Sequence, residues 1–325
     1  MKAQKKTQTE IQLYQSLNSP SYNENQNDNQ FIKVLPLFLA SYPSPHTREV
    51  YKKAVHEFLD FWQEKEIFLA TFQELQRFHL DGWQRALEST TKLSPASIST
   101  KVSAIISLSR FLMENGWIEK NPGEFVKLPK ISKQKGKTQA LSQNEITLIL
   151  ENLRDSCTKA TRPSYVKKDY QAWFRYGVFL TMATVGMRCS EFVNLKISDF
   201  EKKGNYYRLH LNLKGGEEHS PLIPTYLSDF ILQFIKKCRN FAKPTDPLFP
   251  LSPQSNEKIK REYLSKIITK VAKDHGVEQK ISAHSLRATV ASLLHKSNTP
   301  VGEIKDLLGH KSIMTTMMYV RKTDE

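Results

Sequence analysis

The sequence is poor in cysteine, in long apolar runs and in acidic residues relative to basic ones. Its 325 residues include three widely spaced cysteines, Cys157, Cys189 and Cys238. This number and spacing exclude a disulfide framework and a CxxC zinc site, and they indicate a reducing cytoplasm. No run of 18 apolar residues occurs, so we expect no transmembrane helix. Residues 1–29 are polar and lack the apolar segment of a secretory signal.

The shortage of acidic residues points to the kind of partner. Lysine and arginine number 48 against 33 aspartates and glutamates, which gives a net charge of +15 and a pI near 9.5. Such an excess predicts a polyanionic partner: DNA, RNA or an anionic membrane surface. Hydrophobic residues make up 39% of the chain, enough to form real cores, so a wholly disordered protein is excluded.

The pattern along the chain predicts two domains, as the length also does at roughly 150 residues per domain. Residues 1–30 are a polar tail that can bury little, and residues 31–129 have helical periodicity. Residues 130–138 contain four lysines and a glycine without periodicity, which indicates a linker. The alternative, an ordinary solvated loop, leaves the boundary in the same place. Residues 139–325 form the second domain.

The first domain is predicted to contain three helices: one capped by Thr47, one over about 72–88, and one that starts at Ser94–Pro95. The apolar stripe of the third helix is Ile98, Val102, Ile105 and Leu112, with Gly116 at its end.

The opposite face of the third helix carries Ser103, Ser107 and Arg110, with Lys101 nearby. Small hydroxyls and cations on one face let a helix approach a phosphate backbone closely. We therefore predict DNA contacts at these residues and at Lys133 and Lys135 of the linker. The alternative is a solvated helix face.

The second domain begins with helical patterns over about 142–153 and 170–184. Strict alternation then predicts a half-buried strand from Tyr206 to Lys214, a turn at Gly215–Gly216 and a second strand at Leu222–Ile223. Further helices are predicted at about 225–242, 258–274, 284–296, 300–308 and 312–320. The fold class is mainly α with a small β-sheet.

Two arginines stand where an anion could bind. Arg188 lies in a tight turn between two predicted helices, where an arginine needs an anion or a carboxylate as partner. Spacing alone favours a structural salt bridge to Glu191. His284 and Arg287 are three residues apart at a helix start and share one face, which suits a phosphate. We expect Leu286 and its apolar neighbours to form the other, buried face.

Three further residues are candidates. Lys214 ends the alternating strand on its polar side at the hairpin tip, and His310 follows Gly309, which stops a helix. Ser312 is predicted to cap the last helix, with Tyr319 on its polar stripe and Ile313 on its apolar side. A metal site at His284 and His310 is disfavoured, because no third ligand stands at a suitable spacing.

The order Arg188, Lys214, His284, Arg287, His310, Tyr319 resembles the tyrosine recombinase family, which includes phage integrases and Xer-type enzymes. The matching motifs are Val-Gly-Met-Arg-Cys-Ser-Glu, Lys-Gly at a hairpin, His-Ser-Leu-Arg, and Leu-Gly-His nine residues before a tyrosine. The likeness covers roughly residues 40–320. It implies a helical core-binding domain followed by a mixed catalytic domain with helices and a β-hairpin.

The resemblance implies a role for each of the six residues. Arg188 and Arg287 would clamp the scissile phosphate, and His310 would bind it from the far side. Tyr319 would be the nucleophile and His284 would assist its proton transfer. Lys214 would protonate the 5′-oxygen. One departure lies after the lysine hairpin, where the family often has a basic residue and this chain has His219 and Ser220.

The implied activity is site-specific recombination of double-stranded DNA through a 3′-phosphotyrosine. The covalent bond conserves the energy of the broken linkage, so no cofactor, metal or ATP is expected. The expected partners are paired DNA sites and further copies of the chain, a dimer on one site and a tetramer in synapsis. No membrane partner is expected, and the implied location is the cytoplasm, at the nucleoid.

Three alternatives remain open. A topoisomerase-like or telomere-resolving enzyme would share the chemistry, and a DNA-binding protein could retain the fold without cleavage. An RNA-binding protein is disfavoured, because the sequence contains no aromatic-rich platform for single strands.

Overall fold

Two hydrophobic cores organise the chain. The computed structural model describes residues 29–130, 139–213 and 216–320, without the side chains of residues 318–320. The chain divides into two units, Met1–Lys133 and Gln134–Glu325, each with its own core. Most of the predicted tail and all but Lys130 of the predicted linker lie outside the described residues. No described helix has the length and apolar character needed to cross a bilayer.

The described part of the first unit contains helices and no strand. Its helices are α1 (Gln30–Ala40), α2 (Pro45–Gln63), α3 (Arg77–Thr90) and α4 (Pro95–Glu114), with a 3₁₀ turn at Phe72–Glu74. Helix α4 packs against α2 and α3. Its predicted stripe is confirmed, since Ile98, Val102, Ile105 and Leu112 are all buried.

Two predicted helix starts in this unit are wrong, and one is confirmed. Helix α2 is capped by Ser44, not Thr47: the Ser44 hydroxyl accepts the Thr47 N–H at 3.4 Å, and Pro45 occupies the first turn. Helix α3 starts at Arg77, because His79 Nδ1 accepts the Gln76 N–H at 3.0 Å and caps the helix there. Helix α4 begins after Ser94, as predicted.

The second unit surrounds one central helix. Its helices are α5 (Gln143–Thr158), α6 (Lys167–Val185), α7 (Cys189–Asn194), α8 (Thr225–Cys238), α9 (Arg261–Asp274), α10 (Ala283–Lys296), α11 (Val301–Leu308) and α12 (Ile313–Val320). Helix α10 packs against α6, α9, α11 and α12. Residues 285–292 are therefore all buried. The expectation of one buried and one polar face is wrong here, because neighbours cover α10 on several sides.

The strands form two small antiparallel sheets. Strands β1 (Phe200–Lys203), β2 (Tyr206–Leu209) and β5 (Leu222–Ile223) form a sheet of order β1-β2-β5. Strands β3 (Leu211–Asn212) and β4 (Glu218–His219) form a separate hairpin, in which Leu211 is opposite His219. Strands β1 and β4 were not predicted from the sequence.

The predicted strand from Tyr206 to Lys214 is interrupted at His210. The His210 N–H donates to Asp199 O at 2.8 Å, and the ring bonds the Glu201 carboxylate and the Ser220 hydroxyl. These contacts remove His210 from the ladder and separate β2 from β3. The predicted alternation is nonetheless confirmed at Leu209 and Leu211, which are both buried.

Candidate active site

Arg287 is the buried centre of the candidate site. Its side chain lies in the first turns of α10, and the residue is 1% exposed. The guanidinium donates to Gly186 O at 2.8 Å, to Leu308 O at 2.7 Å and to His310 Nε2 at 3.3 Å. A buried guanidinium must keep its N–H groups satisfied. Arg287 thereby joins the end of α6, the end of α11 and His310 in the turn between α11 and α12.

Gly186 allows this meeting of helices. It ends α6 in the left-handed conformation, with φ of 65°. A Cβ atom built at Gly186 would lie 2.4 Å from Leu308 Cδ2. A side chain at this position would therefore be strained in its backbone and would separate α6 from α11.

His310 lies next to Arg287 and is neutral. Its Nε2 accepts from Arg287, so the ring proton is assigned to Nδ1, which lies 2.8 Å from the Thr316 hydroxyl. Burial first, then the positive charges of Arg287, Arg188 and His284, lower the pKa of His310 from 6.5 to about 3. At neutral pH the ring is therefore an uncharged hydrogen-bonding group.

Arg188 is held by a buried carboxylate. It caps α7, where the Glu191 carboxylate accepts its backbone N–H at 2.6 Å and its Nη1–H at 2.6 Å. The salt bridge favoured by spacing is thus confirmed. The Glu191 side chain is 2% exposed, whereas that of Arg188 is 36% exposed. Glu191 therefore fixes the direction of the guanidinium without removing it from solvent.

A cationic pocket of about 250 Å³ brings these residues together. Its lining consists of Arg188, Cys189, Ser190, Arg261, Ala283, His284 and Arg287. Among these described residues none is Asp or Glu, and three are arginines, so the pocket favours an anion. The structure thus places three of the predicted residues around one pocket, and His310 contacts Arg287.

Arg261 and Ser190 belong to this pocket but were not predicted. Arg261 is the first residue of α9, and it is exposed. A cation at a helix N-terminus is disfavoured by the helix dipole. The predicted helix over about 258–274 did not place Arg261 at a helix start, so this position could not be recognised from the sequence.

Lys214 and the Tyr319 side chain lie outside the described residues. The described residues on either side of 214–215 are joined by two backbone bonds, Leu213 N–H to Glu217 O at 2.8 Å and Gly216 N–H to Leu213 O at 3.1 Å. Tyr319 lies in the last turn of α12. The roles of both residues stay predictions.

The predicted faces of α12 are partly wrong. Ile313, expected on the buried side, is 48% exposed, whereas Thr316 is fully buried beside His310. Burial of Thr316 is favourable because its hydroxyl has His310 as a hydrogen-bond partner. Ser312 accepts the Met314 N–H at 3.2 Å, as expected for a cap.

The residues of α4 that were predicted to contact DNA differ in their exposure and in the contacts that they make within the protein. Lys101 forms an ion pair with Glu57, and its side chain is 21% exposed. Ser107 hydrogen-bonds the Tyr42 phenol, and Ser103 is half-buried. Arg110 is exposed. Arg110 is therefore better suited than Lys101 to meet an outside phosphate, and Lys133 and Lys135 lie outside the described residues.

Comparison with known proteins identifies the family. The model of the phage integrase family matches residues 139–325, and that of the phage integrase N-terminal SAM-like domain matches residues 30–116. The chain belongs to the phage integrase family. This confirms the resemblance seen in the sequence motifs.

Individual relatives of this phage integrase family member span nearly its whole length. A protein of Pseudothermotoga lettingae named tyrosine recombinase is 26% identical over 287 residues, 87% of this chain and 89% of its own. A solved structure of the XerH site-specific recombinase, bound to a palindromic difH substrate after cleavage, matches with TM-score 0.69 and 17% identity. That match covers 96% of this chain and 90% of XerH.

A lambda integrase tetramer bound to a Holliday junction matches with TM-score 0.64 and 15% identity, over 96% of this chain and 85% of that one. At these identities the two structural matches establish the fold, which is mainly helical with a small sheet, as predicted.

The lowered pKa of His310 predicts a pH dependence of stability. The folded state keeps His310 neutral, whereas the unfolded chain protonates it below pH 6.5. The contribution of neutral His310 to the free energy of unfolding is thus complete above pH 6.5 and is lost as the pH falls toward 3. Between pH 7 and pH 5 the second unit should lose about 2 kcal/mol more unfolding free energy in the wild type than in His310→Asn. Urea unfolding at both pH values measures this difference, and equal losses would contradict it.

Proposed function

We propose that this protein is a site-specific recombinase that cleaves and rejoins double-stranded DNA through a 3′-phosphotyrosine on Tyr319. The observation that carries the proposal is the position of Arg188, His284 and Arg287 around one cationic pocket. The named relatives support the reaction class, because they are recombinases. The order of the six motif residues along the chain supports the assignment of roles.

The two arginines would stabilise the transition state. Attack on a phosphodiester by an oxyanion produces a pentacoordinate phosphorane with added negative charge, which guanidinium groups match in charge and shape. Glu191 orients Arg188, and the carbonyls of Gly186 and Leu308 orient Arg287. Donors held in place before the reaction need no reorganisation during it.

His310 would act as a neutral donor to the phosphate. In the described arrangement its Nε2 accepts from Arg287 and its Nδ1 faces the Thr316 hydroxyl. The hydroxyl can donate as well as accept, so Thr316 supports either neutral tautomer. When a phosphate oxygen binds, the ring can therefore carry its proton on Nε2 and donate it to that oxygen.

Tyr319 and Lys214 would carry the proton transfers. A tyrosine has a pKa of about 10, so only about one in a thousand is ionised at pH 7. We assign to His284, exposed at the pocket, the acceptance of the phenolic proton. We assign to Lys214 the protonation of the departing 5′-oxygen.

We further propose that both units bind the duplex, with residues 130–138 along it. The net charge of +15 and the exposed Arg110 of the first unit support this arrangement. The DNA-bound XerH and the lambda integrase tetramer support DNA as substrate and assembly of several copies. The proposed assembly is a dimer on one site and a tetramer in synapsis. The proposed location is the cytoplasm, at the nucleoid.

The nucleophile is tested by covalent trapping on nicked DNA. Tyr319→Phe should bind DNA with unchanged affinity and form no adduct, because it lacks the attacking oxygen. Tyr226→Phe is a matched control: Tyr226 is 57% exposed, and its hydroxyl lies 3.3 Å from the Thr184 hydroxyl. Denaturing gels with labelled DNA measure the adduct. An adduct formed by Tyr319→Phe would refute the assignment.

The DNA products separate recombination from the related reactions. A recombinase exchanges strands between two duplexes, whereas a topoisomerase-like enzyme relaxes supercoils and a telomere resolvase forms hairpin ends. Incubation of two labelled duplexes that carry the same site distinguishes these products. No adduct with any site would favour a DNA-binding protein without cleavage.

The contribution of the first unit is tested through the salt dependence of binding. Each neutralised phosphate lowers log K by about 0.9 per decade of salt. Arg110→Gln should therefore reduce the slope of log K against log salt by about 1. Lys101→Gln removes the same charge from the same helix, but Lys101 is paired with Glu57, so the slope should change little. Equal slopes for wild type and Arg110→Gln would contradict the contact.

The general acid is tested with a 5′-bridging phosphorothiolate substrate. Its sulfur leaving group has a much lower pKa than an alcohol and needs little protonation. Lys214→Ala should cleave ordinary DNA poorly and recover toward the wild-type rate on the sulfur substrate. Arg188→Ala should not recover, because its defect is in charge stabilisation. If Lys214→Ala stays slow on both substrates, Lys214 is not the acid.

A further inference from the structure

The β3–β4 hairpin is attached to the turn between α11 and α12 by side chains. His219 Nε2 lies 2.8 Å from Leu307 O, in the last turn of α11. Lys311, which follows His310, forms an ion pair with Glu217 of the hairpin at 2.7 Å. Both groups of this ion pair are more than half exposed, so it contributes little. The His219 contact is the half-buried one.

His219 hydrogen-bonds one of the carbonyls at the end of α11 that have no partner within the helix. The last four carbonyls of a helix have no partner within it. Here Lys305 O accepts the His310 N–H at 3.0 Å and Asp306 O accepts the Gly309 N–H at 3.1 Å, the bonds of a Schellman motif. Leu308 O accepts from Arg287 at 2.7 Å. Leu307 O is bonded by His219, which completes the set.

The register of the hairpin directs His219 inward. It is opposite Leu211, which is buried, so the two side chains share the inner face of the hairpin. The His219 side chain therefore contacts α11 while the two strands keep their regular pairing.

The hairpin and the turn approach so closely that a side chain on Gly309 would crowd the hairpin. Gly309 has φ of 61°, and a Cβ atom built on it would lie 3.0 Å from Leu213 Cδ1 and 3.2 Å from His219 Cδ2. Leu213 directly precedes Lys214, and Gly309 directly precedes His310. The contact thus joins the chain neighbours of two residues with proposed chemical roles.

We propose that His219 is a positioning residue for the cleavage step: its hydrogen bond to Leu307 O holds the hairpin against the α11–α12 turn and thereby sets the reach of Lys214. This inference rests on the proposed function. His219 touches neither DNA nor a reacting atom in this role, and no proton passes through it. Its Nε2–H donates to the Leu307 carbonyl.

Loss of this contact should affect proton donation more than binding. A general acid must come within about 2.6–3.2 Å of the atom that it protonates. A misplacement of about 1 Å can cost about 100-fold in rate. The arginines keep their own partners, Glu191 and the carbonyls of Gly186 and Leu308, so stabilisation of the phosphorane should persist.

The experiment compares single-turnover cleavage of ordinary and 5′-phosphorothiolate DNA by the full chain. His219→Ala should cleave ordinary DNA about 10–100-fold more slowly and recover to within about threefold of wild type on the sulfur substrate. His219→Gln, whose amide can donate to Leu307 O, should restore most of the rate on ordinary DNA. If His219→Ala does not fold, His219→Leu fills similar space without a donor and takes its place.

His275→Ala is the matched control. The ring of His275 is also half-buried and also bonds a backbone carbonyl, Val271 O at 2.7 Å, at the end of α9. This variant should cleave both substrates at the wild-type rate. Affinity for uncleaved DNA, measured in parallel, should be equal in all variants.

The outcomes separate the inference from the proposed function. If the His219 variant is slow by the same factor on both substrates, or is not slow at all, the positioning role is overturned while the proposed function stands. If the wild type forms no adduct on either substrate, the proposed function fails, and the inference with it. If the sulfur substrate restores cleavage by both His219→Ala and Lys214→Ala, the positioning role and the proposed function are both supported.

Discussion

The second unit depends on the burial of one guanidinium. Arg287 is nearly inaccessible, yet it carries a full positive charge in the first turns of a helix packed on several sides. Such a charge is tolerated only where its N–H groups have acceptors. Two helices therefore end where their carbonyls can reach it, α6 at Gly186 and α11 at Leu308. The turn that carries His310 follows from the second of these ends.

The end of α11 shows how one constraint builds several parts of the site. Its last carbonyls are divided between backbone amides, Arg287 and His219. The bond to Arg287 ties the helix to the cationic pocket, and the bond to His219 ties it to the hairpin. Gly309 makes both possible, since its left-handed conformation and missing side chain permit the turn and the close approach. Residues far apart in sequence thus share one helix terminus.

The charge distribution divides the site into groups of two kinds. Arg188 and Arg287 are held as permanent cations by a carboxylate and by carbonyls. Burial, together with their field, lowers the pKa of His310 to about 3 and so keeps the ring uncharged. In the proposed mechanism a phosphate would meet two fixed charges and one neutral hydrogen-bonding group. Such an arrangement would stabilise added negative charge without a second buried cation beside Arg287.

The sequence by itself determined the helices with clear caps, the inward leucines at 209 and 211, the positive charge and the ordered motif residues. These depend on local periodicity and on neighbours a few positions away. The tertiary structure alone decided that Arg287 is buried, that Lys101 is paired with Glu57, that His210 interrupts the strand and that Arg261 joins the pocket. Each of these depends on a partner distant in sequence. Burial and hydrogen-bond satisfaction arise only when the elements pack together, so no local pattern could specify them.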